Sequence, residues 1–154
     1  MSTYILPQPS GDLARKIRGT WWLLSREDRT NDGKKKFDPV LGDDPVGILS
    51  YAKIHFAAQF MKRDRSIRNT EISNGAKNNT IAADGYDAYF GTYEVDEENS
   101  QVAHKLIGSV VSENIGITVS RDVRVNDDNL IIQLETTSAD GEPVTRTLIW
   151  NRIS

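Results

Sequence analysis

The sequence of 154 residues contains no cysteine and only two histidines. The absence of cysteine excludes disulfides, thiol nucleophiles and thiolate-bound metal or iron–sulfur sites. The two histidines, His55 and His104, are far apart and do not show the spacing of a metal-binding motif. We therefore expect a protein that works without a metal ion or another cofactor.

The chain also lacks a strong excess of charge and a long apolar run. Its 19 basic and 22 acidic residues give a formal net charge of -3, which is too small to draw the protein onto nucleic acid or an anionic membrane. No segment approaches the roughly 18 apolar residues of a membrane span, and residues 1–10 lack the pattern of a secretory signal. We expect a cytoplasmic protein without nucleic-acid or membrane partners.

One domain is the expectation for a chain of this length, which buries roughly two thirds of its unfolded surface around one core. We assign residues 1–154 to that domain and residues 1–11 to an N-terminal tail. Asp12 is a suitable N-cap for a short helix in which Leu13 and Ile17 share an apolar face. Beyond this helix the apolar residues recur with a period of two, which indicates β-strands.

Short β-rich runs alternate with turn residues over the rest of the chain, a pattern typical of all-β sandwiches and barrels. Residues 31–33, 126–129 and 140–141 are turns, because they contain Asn, Asp and Gly, which tolerate positive φ angles. Segment 34–45 is expected to be a polar loop, and the long polar segment 63–85 is either a lid or a mobile surface loop. The predicted strands span residues 19–28, 46–52, 55–62, 87–96, 101–110, 116–126, 129–137 and 143–153.

Alternation along each predicted strand decides which side chains face the interior. In the strand 101–110, for example, His104 shares a face with Val102 and Leu106. An interior of apolar side chains with a few convergent polar groups is typical of a ligand pocket. The polar residues predicted to face inward are Glu27, Tyr51, Tyr89, Tyr93, His104, Arg121 and Arg146, and the apolar residues are Leu49, Phe56, Phe60, Leu106, Leu130 and Leu148.

Two short motifs at the ends of the predicted sheet resemble the closure of calycin barrels. They are Gly19-Thr20-Trp21 and Trp150-Asn151-Arg152, and the resemblance implies that the guanidinium of Arg152 packs on the indole of Trp21. From about residue 13 to the end, the chain is similar to a family of small bacterial and fungal lipocalin-like domain proteins. The motifs that carry this similarity are Asp44-Pro45-Val46-Gly47, Ser50-Tyr51, the run from Tyr89 to Val95, Val102-Ala103-His104, Arg121, and the run from Leu148 to Arg152. The resemblance implies an all-β fold, an eight-stranded antiparallel lipocalin-like (calycin) barrel with a short N-terminal helix.

The same resemblance implies a function, because members of such families act in natural-product pathways as cofactor-independent isomerases or cyclases. The expected substrate is a hydrophobic intermediate of the polyketide or terpenoid type, bound inside the barrel. In this hypothesis His104 and Glu27 transfer protons. Arg121, Tyr93 and Tyr51 hold a carbonyl or carboxylate where negative charge develops. The other inward residues bind the substrate and impose its shape.

Two other functions fit the same pattern: a non-catalytic carrier of a small hydrophobic molecule, and a barrel filled by its own side chains that serves as a structural or partner-binding protein. The site residues also have structural interpretations, in which Glu27 and Arg121 form an ion pair and His104 is an ordinary core histidine. Trp22, on the outer face of its strand, marks either a homodimer surface or a packing site for the helix. The expected partners are thus a small hydrophobic molecule and, if Trp22 marks an interface, a second copy of the chain.

Overall fold

The computed structural model describes residues 7–65 and 85–154. Within these ranges one α-helix, α1 (Asp12–Ile17), precedes the strands, and no helix is long and apolar enough to cross a bilayer. A short 3₁₀-helix, Ser112–Asn114, lies between the sixth and seventh strands. The strands are β1 (Gly19–Thr30), β2 (Lys35–Lys36), β3 (Val46–Tyr51), β4 (His55–Met61), β5 (Tyr86–Asp96), β6 (Gln101–Ser109), β7 (Thr118–Asn126), β8 (Asn129–Thr137) and β9 (Pro143–Arg152).

Eight of the strands form a closed antiparallel barrel, as predicted. Each strand from β3 to β8 pairs with the next along the chain, and β1 pairs with both β3 and β9. The closing ladder begins with Trp21 opposite Arg152 and ends with Thr30 opposite Val144. The two-residue strand β2 was not predicted; it lies outside the ring and pairs with β1. In a closed ring, alternate residues of every strand face one shared interior.

The predicted strands agree with the observed ones to within two residues at each end. Turn residues account for this agreement, because Gly33, Gly141 and Asp127 adopt φ angles of +86°, +85° and +56°. Glycine takes such angles without strain since it has no Cβ, and Asp is among the few other residues that tolerate them. The turn composition therefore marks where these three hairpins reverse.

The sequence predicted that Asp12 caps helix α1, but a residue far away in the sequence caps it instead. Gly11 is the N-cap residue, and no side chain of its own caps the helix. Instead the carboxylate of Glu97, in the β5–β6 hairpin, accepts hydrogen bonds from the backbone N–H groups of Leu13 at 2.7 Å and Ala14 at 3.1 Å. The prediction was wrong because tertiary packing brings a better-placed carboxylate to the free N–H groups of the first turn.

The end of the barrel beside α1 is closed by Trp21 and Arg152. The guanidinium of Arg152 lies 4.2 Å from the centre of the fully buried Trp21 ring, as the family resemblance implied. Arg152 also donates hydrogen bonds to the carbonyl oxygens of Arg18 and Lys16, and the Trp21 indole donates to the carbonyl of Ile17 at 2.8 Å. These contacts satisfy carbonyl groups at the end of α1 and join the helix to the first and last strands.

A bulge in β1 reverses the predicted orientation of Glu27. The pairing of β1 with β9 slips by one residue at Leu24, so the alternation changes phase there. Arg26 and Asp28 are consequently buried inside the barrel. The Glu27 side chain is 36% exposed and forms an ion pair with Arg29 on the outer surface at 2.8 Å. The prediction of an inward Glu27, and with it a proton-transfer role, was therefore wrong.

The segment 34–45 contributes to the core and is not simply a polar loop. Val40 and Leu41 are buried in the main hydrophobic cluster. The carboxylate of Asp38 fixes this turn, since its Oδ1 accepts hydrogen bonds from the backbone N–H groups of Val40 at 2.7 Å and Leu41 at 2.9 Å. Most of the other predicted loop, 63–85, lies outside the described residues, so its role as a lid stays a prediction.

The outer face of the barrel carries an exposed aromatic residue, as predicted. Trp22 is 42% exposed and lies in a shallow apolar depression with Ile48, Met61 and Tyr86. Its outward orientation follows from the alternation that buries Trp21. A homodimer at this surface stays a prediction.

Candidate functional site

A cavity lies inside the barrel. The empty space within it and its open mouth is about 490 Å³. Because part of this space is open solvent, the enclosed part is smaller and suits a compact ligand. The apolar side chains that line it are Leu41, Leu49, Ala58, Phe60, Ile132, Leu134, Leu148 and Trp150, and the polar ones are Arg26, Asp87, Tyr89, His104, Arg121 and Arg146.

About half of the predicted site residues line this cavity. They are His104, Arg121, Tyr89, Arg146, Leu49, Phe60 and Leu148. Tyr51, Phe56, Leu106 and Leu130 are buried in the core around the cavity but do not line it. Tyr93 is also buried away from the lining, and its hydroxyl donates a hydrogen bond to the carbonyl of Ala52. The structure therefore does not bring Tyr93 and Glu27 to the cavity with the other two predicted catalytic residues.

Two aromatic neighbours hold His104 in the cavity wall. Its Nε2 lies 2.7 Å from the hydroxyl oxygen of Tyr51, and its ring stacks on Phe56 with 4.0 Å between the centroids. Burial, together with the positive charge of Arg121, lowers the pKa of His104 to about 3. The imidazole is therefore neutral at physiological pH and acts as a hydrogen-bonding group rather than as an imidazolium acid.

Two buried ion pairs occupy the charged side of the interior. Arg146 binds the carboxylate of Asp28 through two hydrogen bonds, at 2.8 Å from Nε and 2.9 Å from Nη2, and Arg26 donates to Asp38 at 3.1 Å. Burial alone would raise the pKa of Asp28, but the hydrogen bonds and charge of Arg146 bring it below its usual value. These carboxylates are thus engaged by cations, and the described residues contain no cluster of three His, Asp or Glu side chains that could hold a metal ion.

Asp87 is the third buried carboxyl group of this region, and it differs from the other two. It is 5% exposed, and its Oδ1 has no hydrogen-bond partner among the described residues. Burial raises the pKa of Asp87 to about 7, although the charges of Arg26 and Arg146 act in the opposite direction. A carboxyl group with a pKa near neutrality is present in both protonation states at physiological pH, as general acid–base catalysis requires.

Arg121 brings a positive charge to the cavity wall beside neutral polar groups. It is 4% exposed, and one of its N–H groups donates to the carbonyl of Ser120 at 3.2 Å. Burial raises the pKa of Tyr89 to about 12 even though the charge of Arg121 lowers it. The phenol therefore stays protonated, so Tyr89 can donate a hydrogen bond to a ligand.

Three buried polar atoms on cavity-lining residues have no hydrogen-bond partner among the described residues: Oδ1 of Asp87, Nδ1 of His104 and Nε1 of Trp150. An unsatisfied buried polar group costs about 1–3 kcal/mol, so native proteins rarely place several together. Their concentration in one cavity is the arrangement expected where a ligand supplies the missing partners.

The sequence contains a signal for Asp87 but none for Arg26. The alternation that places Tyr89 on the inner face of β5 also places Asp87 there, two residues earlier, yet the sequence-based site omits it. Arg26 faces inward only because of the bulge at Leu24, and nothing in the local residue pattern marks that bulge. The polar side of the cavity was therefore only partly predictable.

The barrel as a whole corresponds to a known family. The model of the lipocalin-like domain family matches residues 18–153, from the residue before β1 to the residue after β9. No curated protein shows significant similarity to the chain. Small closed barrels of this kind can hold a ligand in their interior, which agrees with the cavity described above. The chain belongs to the lipocalin-like domain family.

Proposed function

We propose that the protein is a cofactor-independent isomerase or cyclase acting on a compact hydrophobic carbonyl compound, such as a polyketide or terpenoid intermediate, inside the barrel. The observation that carries this proposal is a buried carboxyl group, Asp87, with an unpartnered oxygen in the wall of a cavity that Arg121 and His104 also line. A carboxylate with a purely structural role at this depth is normally ion-paired, as Asp28 and Asp38 are.

Asp87 is the base in this mechanism. Its carboxylate takes a proton from the carbon next to the substrate carbonyl, the C–H electron pair forms the C=C bond of an enolate, and the negative charge moves to oxygen. If the substrate has a C=C bond between its β- and γ-carbons, the enolate is a conjugated dienolate, and isomerisation is complete when Asp87 returns the proton to the γ-carbon and the double bond moves next to the carbonyl. In cyclisation the enolate carbon attacks a second carbonyl of the same molecule, and Asp87 gives its proton to the resulting alkoxide. Both sequences balance without an added oxidant or reductant.

Arg121 and His104 stabilise the charge that develops. Arg121 provides a permanent positive charge for the enolate oxygen, and the low dielectric of the interior strengthens this attraction. Neutral His104 donates a hydrogen bond to this oxygen from Nδ1 in the tautomer in which Nε2 accepts the hydrogen bond of Tyr51. Tyr51 is a positioning residue, because it holds the imidazole through Nε2 and does not line the cavity. The apolar wall keeps water from the enolate.

Hydrogen–deuterium exchange tests the proposal before the natural substrate is known. The probe is 2-tetralone, a compact hydrophobic ketone whose acidic C–H bonds exchange with D₂O, followed by proton NMR. We expect the wild-type protein to accelerate exchange and Asp87→Asn to slow it by about 10²- to 10⁴-fold, the usual contribution of a general base. Glu27→Gln is the matched control, since Glu27 is an acidic residue of the same barrel that faces solvent. It should exchange at the wild-type rate.

Two results would contradict the proposal. The first is a folded Asp87→Asn variant, verified by circular dichroism, that still accelerates exchange at the wild-type rate. The second is binding of 2-tetralone by the wild-type protein, measured by calorimetry, without any acceleration of exchange. That second result would instead favour a non-catalytic carrier of small hydrophobic molecules.

A further inference from the structure

The indole N–H of Trp150 is a hydrogen-bond donor without an acceptor among the described residues. The Trp150 side chain is buried in the cavity wall. Trp21 is equally buried, but its N–H donates to the carbonyl of Ile17 at 2.8 Å. Because an indole nitrogen donates and cannot accept, the missing partner of Trp150 must be an acceptor.

Trp150 and Asp87 lie on opposite sides of the barrel. In the ring of eight strands, β9 and β5 are separated by β6, β7 and β8 in one direction and by β1, β3 and β4 in the other. The register places Asp87 beside Phe60 of β4, and the Phe60 ring meets the Trp150 ring edge-on with 5.5 Å between centroids. Both residues line one cavity, so a ligand that contacts both spans the interior past Phe60.

We propose that the natural ligand carries a second oxygen atom, remote from the carbon that Asp87 deprotonates, and that this oxygen accepts a hydrogen bond from the indole N–H of Trp150. The inference rests on the proposed function, in which the C–H bond next to the substrate carbonyl lies at Asp87. It narrows the substrate class to compact apolar compounds with oxygen at both ends, such as alkoxy-ketones, hydroxy-ketones and dicarbonyls. Trp150 is then a specificity-determining residue that selects the ligand and takes no part in proton transfer.

A pair of matched ketones tests the role of Trp150. The probes are 6-methoxy-2-tetralone and 6-ethyl-2-tetralone, which have similar shapes but differ by one oxygen at the end of the molecule opposite the ketone. We expect the wild-type protein to bind the methoxy compound about 5- to 10-fold more tightly, the usual effect of one hydrogen bond. Trp150→Phe should reduce this ratio to about one by removing the donor. Trp22→Phe, which changes an exposed tryptophan outside the cavity, should preserve it.

The indole NMR resonance of Trp150 in ¹⁵N-labelled wild-type protein provides a measurement that needs no folded variant at this position. Its N–H proton should move further downfield on binding the methoxy ketone than on binding the ethyl ketone, because a hydrogen bond to oxygen deshields it. Equal affinities of the wild-type protein for the two probes, or the same displacement of the resonance by both, would overturn the inference.

The role of Trp150 and the catalytic role of Asp87 can be contradicted independently, because the first is tested by binding affinity and the second by hydrogen–deuterium exchange. Equal binding of the two ketones together with Asp87-dependent exchange would remove the role of Trp150 and leave the base in place. Selective binding of the methoxy ketone without exchange would support Trp150 as a ligand donor and contradict the enzymatic function.

Discussion

The hydroxyl oxygen of Tyr51 lies 2.7 Å from Nε2 of His104, and this hydrogen bond joins β3 to β6, two strands that are not neighbours in the barrel. Burial raises the pKa of Tyr51 well above its usual value and lowers that of His104. The contact is therefore a hydrogen bond between two neutral groups. It fixes the imidazole against Phe56 and leaves Nδ1 as the atom without a partner among the described residues.

Replacing Tyr51 by Phe should lower the free energy of unfolding by about 1–3 kcal/mol, because it leaves Nε2 of His104 buried without its partner. Urea denaturation followed by circular dichroism measures the change. Tyr86→Phe is the matched control, since the Tyr86 hydroxyl donates to Gln59 at an exposed site, and its effect should stay within about 0.5 kcal/mol. Equal losses in the two variants would show that burial does not strengthen the Tyr51 contact.

Replacing Asp28 by Asn should cost about 3–5 kcal/mol, because the Arg146 charge is then left buried without its carboxylate. Glu27→Gln, one residue away, removes a surface ion pair and should cost less than about 1 kcal/mol. The double variant Asp28→Asn with Arg146→Met should recover part of the loss, since the unpaired charge is gone. Failure of the double variant to recover would mean that packing, and not the isolated charge, causes the loss. Urea denaturation of all three variants provides the comparison.

Asp87 and His104 have opposite effects on how folding depends on pH. The folded pKa of Asp87, about 7, lies above its usual 3.8, so the folded state holds the additional proton between these values. Its contribution therefore makes the free energy of unfolding fall as pH rises through that window. The folded pKa of His104, about 3, lies below its usual 6.5, so the unfolded state holds the additional proton and the contribution rises with pH.

The difference in stability between each single variant and wild type should therefore reveal the contribution of the group that was removed. Relative to wild type, Asp87→Asn should gain stability as pH rises from about 4 to 7, by an amount on the order of 4 kcal/mol. His104→Gln should instead gain relative stability as pH falls below about 6.5. Urea denaturation at about pH 4.5 and pH 7.5 measures both differences. A constant difference between variant and wild type across this range would contradict the assigned pKa direction.

Local residue patterns were sufficient to predict the barrel strands and most of their inner faces. In β6, for example, Val102, His104 and Leu106 are all buried, as the alternation predicted, because burial of every second side chain is a property of a single strand. The packing of Arg152 on Trp21 was implied by the resemblance of the motifs at the two ends of the sheet to the closure of calycin barrels, and the structure confirms it.

Local patterns failed in β1, where the predicted carboxylate was wrong. The bulge at Leu24 exists because β1 must pair with β9 around a closed ring, and closure is a property of all eight strands. Arg26 therefore replaced its neighbour Glu27 on the inner face. The N-cap of α1 failed for a similar reason, since Glu97 reaches it from a distant hairpin.

The sequence by itself determined the number of barrel strands, their turns and the inward position of His104 and Arg121, since these follow from contacts between residues close along the chain. Only the tertiary structure decided which inward groups are paired. Asp28 meets Arg146 across more than a hundred residues, whereas Asp87 has an oxygen without a partner among the described residues. The pKa of a buried carboxyl group depends on its distance from the other charges inside the barrel. No local residue pattern determines those distances, because they are set by strands that are far apart in the sequence.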